Sequence, residues 1–198
     1  RVVQADVSDF EQMRRVFADI QPPIAGVIHA AGVFEDRLLK DHKWELFEKV
    51  FAAKVNGSWN LHMLTRKLPL DFFVLFSSST CLISSAGMGN YVAANSFADA
   101  LAHYRQQIGL PALSINWGPW SDVGMAGAVG NLRQAQWSAQ GLDTLPPDDA
   151  LKALEYLMLR EVQSAKCKVQ NQIPQAGVMS VNWQKFMGQY SGDYPKFF

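Results

Sequence analysis

The chain has 198 residues, 48% of them hydrophobic and only 18% charged, with 18 basic residues balanced by 18 acidic ones. That length holds one sizeable core, the zero formal charge offers no basic stripe for a phosphate backbone, and the longest purely apolar run, Phe72 to Phe76, cannot span a bilayer. Cys81 and Cys167 form no CxxC pair, the histidines show no metal-ligand spacing, and no secretory leader opens the chain. The expectation is a soluble protein of a reducing, cytoplasmic compartment, without metal, membrane or nucleic acid as partner.

In chain order, Arg1 to Ala5 reads as a short β segment. Ser8 with Glu11 reads as a capping box opening a helix whose apolar stripe is Phe10, Met13, Val16, Phe17 and Ile20. Gln21-Pro22-Pro23 ends it, and Gly26 to Ala30 is the next buried strand. A long helix is expected from about His42 to Lys67, bent near Gly57. Phe72 to Phe76 has the pattern of a parallel strand buried on both faces. A helix from about Asn90 to Ile108 stops at Gly109, and Ala112 to Asn116 is a further strand. Gly118 to Leu142 reads as a loop with a short helix, Pro146-Pro147 starts a helix reaching Arg160, and Glu161 to Ala176 reads as a surface excursion. Val178 to Trp183 is expected as a last edge strand, with a tail beyond residue 185. Alternating strands and helices predict a parallel α/β sheet.

Ligands of open α/β sheets lie at the carboxyl ends of the strands. There the chain places the hydroxyl cluster Ser77-Ser78-Ser79-Thr80, followed by a helix in which Tyr91 and Asn95 share one face a turn apart. Lys54 stands in an apolar helical setting between Ala53 and Val55, where lysine is uncommon. Singly these residues read as a strand-end cap, a core aromatic, a snorkelling lysine and a helix-face amide. Together they suit ketone reduction. Charge grows on the carbonyl oxygen as hydride arrives, so a serine and a tyrosine aimed at that oxygen, with an ammonium favouring tyrosinate, are the donors required.

Several longer stretches carry a resemblance: ADVSD at Ala5–Asp9, GVIHAAG at Gly26–Gly32 and AAKVNGSWNLH at Ala52–His62. LDFFVLFSS at Leu70–Ser78, YVAANSFADALAHYR at Tyr91–Arg105 and LPALSINWGPWSDVGMA at Leu110–Ala126 extend it. The chain resembles the ketoreductase domain of modular polyketide synthases, a branch of the short-chain dehydrogenase/reductase superfamily. That branch carries asparagine four residues after the tyrosine and takes its lysine from the earlier helix, as here. The resemblance implies a Rossmann-like parallel sheet with helices on both faces, truncated at the N-terminus because the glycine-rich phosphate loop and first strands belong upstream of Arg1. Residues 1–185 would form the C-terminal portion of the catalytic domain and 186–198 a tail or linker.

By the same resemblance Tyr91 is the proton donor, Ser78 clamps the carbonyl, Lys54 tunes the tyrosine and touches the nicotinamide ribose, and Asn95 completes the proton relay. Asp6 and Val7 would meet the adenine. His29, Ala30, Ala31 and Gly32 would lie along an NADPH cofactor, and Pro119 and Trp120 would border the nicotinamide. The implied reaction reduces a β-ketoacyl thioester on the phosphopantetheine arm of an acyl carrier protein, beside neighbouring synthase domains. The 198-residue piece alone is expected to be inactive.

Val33-Phe34-Glu35-Asp36 resembles the Leu-Asp-Asp signature of domains giving the D-configured (B-type) alcohol. Ile83 stands where A-type domains carry tryptophan. Met88 and Met125 would help orient the substrate, although Ser84 and Met88 replace the family's usual glycine and glutamine. Alternatives are a catalytically silent structural domain and a free-standing ketone reductase.

Overall fold

The computed structural model describes residues 1–35, 37–83, 87–123, 131–167 and 173–189. Residues 1–6 run without regular structure, not as the expected β segment, because no neighbouring strand pairs with them among the described residues. Helix α1 (Phe10–Ala18) is capped by Asp9, whose side chain accepts from the Gln12 amide at 3.0 Å. The expected Ser8–Glu11 capping box does not form. The Ser8 hydroxyl instead donates to Asp6 at 2.8 Å, which moves the helix start one residue on. From the predicted stripe, Met13 and Phe17 pack on the core while Phe10 stays exposed.

Strand β1 (Gly26–His29) is followed by helix α2 (Trp44–Phe51), a π-helical turn (Ala52–Asn56) and helix α3 (Gly57–Thr65). The long helix is thus present, and its irregularity takes the form of an i→i+5 turn just ahead of Gly57. Strand β2 (Phe72–Ser78) reaches two residues beyond the apolar run. Helix α4 (Gly89–Gln107) ends two residues before Gly109, whose φ of +77° is the left-handed conformation that a helix terminus assigns to glycine. Strand β3 (Leu113–Trp117) is buried throughout.

Helix α5 (Asn131–Ala139) and strand β4 (Leu142–Asp143) follow. Helix α6 (Pro147–Cys167) runs well past Arg160, through much of the expected surface excursion. Strand β5 (Gln175–Val178) is the edge strand, placed three residues earlier than expected. The predicted Val178–Trp183 strand is divided. Strand β6 (Ser180–Val181) pairs antiparallel with β4, and Trp183 opens helix α7 (Trp183–Met187), capped by Asn182. The expected domain edge at residue 185 falls inside α7, whose Phe186 is buried.

The main sheet has the order β1-β2-β3-β5, parallel at every pairing. Alternation along β2 divides the core. Phe73 and Leu75 face Leu61, Leu101 and the α1 side chains Met13 and Phe17, whereas Val74 joins Leu113, Ile115 and the α6 side chains Ala150, Leu154 and Leu157. Helices therefore cover both faces of a parallel sheet, the Rossmann-like arrangement, with the carboxyl ends of β1, β2 and β3 left as the rim where a site is built.

Candidate active site

Strand β2 delivers Ser78 to that rim, paired in register with Trp117 of β3. Thr80 donates to the Ser78 Oγ twice, from its backbone amide at 3.3 Å and its hydroxyl at 2.9 Å. A hydroxyl has two acceptor positions and one proton. With both acceptor positions engaged, the Ser78 proton is turned toward the Tyr91 phenol, whose pKa the serine side chain lowers.

Tyr91 and Asn95 rise from the first turns of α4. The Asn95 amide donates from Nδ2 to the Tyr91 carbonyl at 2.8 Å, and its Oδ1, fully buried, accepts no hydrogen bond from the described residues. Asn90, also buried, accepts from the Tyr91 amide at 2.7 Å and reaches the Leu46 carbonyl at 3.4 Å, tying the start of α4 to α2. The Tyr91 ring lies among Val50, Met88 and Ala94, with Phe34 edge-on at 5.4 Å between centroids. Burial raises the Tyr91 phenol above its ordinary pKa of 10, while the Asn95 and Ser78 side chains act in the opposite direction.

Lys54 sits in the π turn and is 3% exposed. Its ammonium donates to the carbonyl of Phe76, two residues before Ser78. Burial lowers it from 10.5 to about 8, with Cys81 and Asp99 pulling the other way. The ammonium is turned toward the strand-end carbonyl, and burial is the largest influence on the Tyr91 phenol. Gly32 is what lets the lysine lie there, because a Cβ at that position would come 2.8 Å from Lys54 Cε.

Behind these residues lies a buried polar network. Asp99 accepts from Ser114 Oγ at 2.6 Å and from Asn116 Nδ2 at 3.0 Å. Asn116 Nδ2 also reaches Ser77 Oγ at 3.0 Å and the Ser78 carbonyl at 3.2 Å, while Ser77 Oγ donates to the Asn95 carbonyl at 3.3 Å. The network holds the Ser78 end of β2 against the Asn95 turn of α4. Asp99 and Asn116 carry a signal legible in the chain, as polar residues within buried runs, the same signal that marks Lys54.

The structure distributes the remaining candidates as follows. Ala30 and Ala31 are exposed just beyond β1, and His29 is buried beneath them. Asp6 closes a turn with Ser8, and Asn60 donates to the Val7 and Ser8 carbonyls, which fastens this loop to α3. The backbone on either side of Trp120 is anchored to Leu145, whose amide donates to the Pro119 carbonyl and whose carbonyl accepts from the Ser121 amide, and the Trp120 ring packs on Phe76 and Trp117. Met88 is buried beside Tyr91, and Ile83 is tied to Ser79 through its amide at 2.8 Å. Glu35 pairs with Lys49 of α2 at 3.5 Å. Asp36, Ser84 and Met125 lie outside the described residues. The segments that flank Asp36 and Ser84 are joined by the Arg37 amide donating to the Gly87 carbonyl at 2.9 Å.

A KR domain family model matches residues 1–122. The chain is 38% identical over 162 residues to the mycoketide-CoA synthase of Mycobacterium tuberculosis H37Rv, covering 80% of this chain and 4% of that protein. It is 36% identical over 200 residues to polyketide synthase GfsA of Streptomyces halstedii, covering 98% of this chain and 2% of that one. Among solved structures, A-type ketoreductases from a modular polyketide synthase superpose with a TM-score of 0.84 at 31% identity, covering 98% of this chain and 39% of theirs. The first ketoreductase of the tylosin synthase gives 0.79 at 36% identity, covering 93% and 38%. The chain thus spans well under half of the solved ketoreductases and a small part of the synthases. With a family match over more than half its length and the fold of the solved ketoreductases, this chain belongs to the KR domain family, the ketoreductases of polyketide synthases.

Proposed function

We propose that this chain is the catalytic portion of an NADPH-dependent reductase that converts a β-ketoacyl thioester, carried on the phosphopantetheine arm of an acyl carrier protein, to the β-hydroxyacyl thioester. The observation that supports it best is the convergence at the end of β2 of a serine that reaches the tyrosine phenol, the buried tyrosine itself and a buried asparagine with an available acceptor. Beside them lies a lysine ammonium anchored on the same strand end.

The residues present fit the nicotinamide half of the cofactor. Ala30 and Ala31 are small and exposed, and Gly32 admits the Lys54 stem, which offers a cation beside them. Asp6 and Val7 would hold the adenine, Ala30 to Gly32 the middle of the molecule, Lys54 the ribose, and Pro119 and Trp120 the nicotinamide. When bound, the nicotinamide supplies the hydride. Ser78 donates its hydroxyl proton as a hydrogen bond to the ketone oxygen, stabilising the charge that grows there. Burial keeps Tyr91 protonated at neutral pH, so it is loaded as an acid, and its proton passes to the nascent alkoxide. The tyrosinate left behind is favoured by the Lys54 ammonium once that group turns from the Phe76 carbonyl, and Asn95 Oδ1 is the acceptor at which the proton relay is held.

The D-configured alcohol is the product this reading favours, on Ile83 and on the Val33-Phe34-Glu35-Asp36 segment. The solved A-type ketoreductases share the fold at 31% identity, so the choice rests on these loops and not on the architecture. The test is NADPH oxidation by the complete domain with a β-ketoacyl thioester, with the product resolved by chiral chromatography. No turnover refutes the activity. A predominantly L-configured alcohol refutes only the stereochemical part.

A further inference from the structure

A π turn changes which backbone groups are paired. The Gly57 amide would bond the Ala53 carbonyl in an α-helix, but here it bonds the carbonyl of Ala52. The Ala53 oxygen, one residue before Lys54, receives a different donor. His29, 4% exposed at the end of β1, places Nε2 at 3.1 Å from it. A carbonyl can only accept, so Nε2 carries the proton and the imidazole is the neutral Nε2–H tautomer. Burial, followed by the nearby Lys54 charge, lowers the His29 pKa to about 4, which keeps it neutral at physiological pH. Two glycines shape the same junction. A Cβ at Gly57 would come 2.7 Å from Val7 Cγ1 and 3.5 Å from His29 Cε1, and one at Gly32 would strike the Lys54 stem.

We propose that His29 is a positioning residue for Lys54, its Nε2–H holding the Ala53 carbonyl that the π register releases and so setting the turn from which the lysine enters the site. Histidine suits the task because it donates a hydrogen bond without placing a second positive charge beside a buried ammonium. The side chain touches neither reacting atom and acts only through the turn. The inference rests on the reading of Lys54 as partner of the tyrosine and the cofactor, and the experiments below separate the two.

In the complete ketoreductase domain, His29→Leu keeps the volume and removes the donor, whereas His29→Gln restores an Nε2–H donor at similar reach. The expected result is a loss of kcat of about ten- to a hundredfold and weaker NADPH binding in H29L, recovered for the most part in H29Q. The alkaline limb of NADPH affinity, which follows the Lys54 charge, should move to higher pH in H29L as the ammonium gains solvent. A folded H29L with kcat within about threefold of the parent, or an H29Q as impaired as H29L, overturns the proposal. Should H29L not fold, nitrogen NMR of histidine-labelled parent protein decides the bond directly. Neutral imidazole with Nε2 protonated at pH 7 supports it, and an Nδ1–H tautomer overturns it. Full activity in Lys54→Ala would instead overturn the role of Lys54 and leave the tautomer result standing.

Discussion

Phe34 meets Tyr91 edge to face, with ring centroids 5.4 Å apart and planes at 80°. This contact joins the loop after β1 to the first turn of α4. Phe34 stands within the segment compared with the Leu-Asp-Asp signature, so that segment also braces the tyrosine. An edge-to-face pair contributes about 0.5–1.5 kcal/mol beyond its buried area. Phe34→Ala should lower kcat several-fold with a small change in melting temperature, whereas Phe34→Leu, which fills most of the space, should lose less. Steady-state kinetics of the complete domain on a β-ketoacyl thioester check it, and an unchanged kcat in F34A would mean the ring does not orient the phenol.

Tyr91→Phe should lower kcat by about 10²–10⁴-fold, the usual range for general acid catalysis, and leave NADPH affinity close to the parent value. Only the proton is removed, because the ring and its contacts with Phe34, Met88 and Val50 persist. Retention of more than about a tenth of kcat would exclude Tyr91 as the proton donor.

The buried Lys54 and His29 predict opposite limbs of a stability profile. For His29 the folded pKa, about 4, lies below the unfolded value of 6.5. The unfolded chain therefore binds the proton first as pH falls, and stability drops between pH 6.5 and 4 by on the order of 2–3 kcal/mol. For Lys54 the folded pKa, about 8, lies below 10.5, so burying the charged form costs stability at neutral pH. That cost lifts as pH rises from 8 toward 10.5. Urea melts of the complete domain across this range should show His29→Gln flattening the acid limb and Lys54→Met flattening the alkaline rise. A parent acid limb unchanged in H29Q would show that the imidazole titrates normally.

Asp99 accepts from Ser114 and Asn116 inside the core. Asp99→Leu leaves both donors without their carboxylate and should cost about 2–4 kcal/mol by urea denaturation. Because Asn116 also bonds the Ser78 carbonyl, Asn116→Leu should lower kcat as well as stability, through displacement of the serine. Loss of stability with kcat unchanged in folded N116L would limit the network to a structural role.

Gly32→Ala tests how closely Lys54 must approach the β1 loop. The added methyl would lie 2.8 Å from Lys54 Cε, so the stem must shift. NADPH affinity and kcat should both fall while the melting temperature changes little, since the flexible lysine stem can move aside. An unaffected Kd for NADPH would show that the lysine position is not critical.

The sequence alone determined the parts of this protein whose signals are local. Alternation of buried runs with amphipathic stretches specified a parallel sheet. Tyr91 and Asn95 share a helix face by their spacing, Ser78 closes a buried strand, and Lys54 stands out as a charge in an apolar stretch. Only the tertiary structure decided what depends on partners far along the chain. Asp9 replaces Ser8 as the cap because the Ser8 hydroxyl is taken by Asp6, and Trp183 opens a helix because Ser180–Val181 finds β4 as its partner. The π turn, the His29 bond to Ala53 and the Phe34–Tyr91 contact likewise depend on residues brought together from separate elements. A hydrogen bond across 24 positions leaves no periodicity in the chain, so the aim of Lys54 became visible only once β1, the π turn and β2 were packed together.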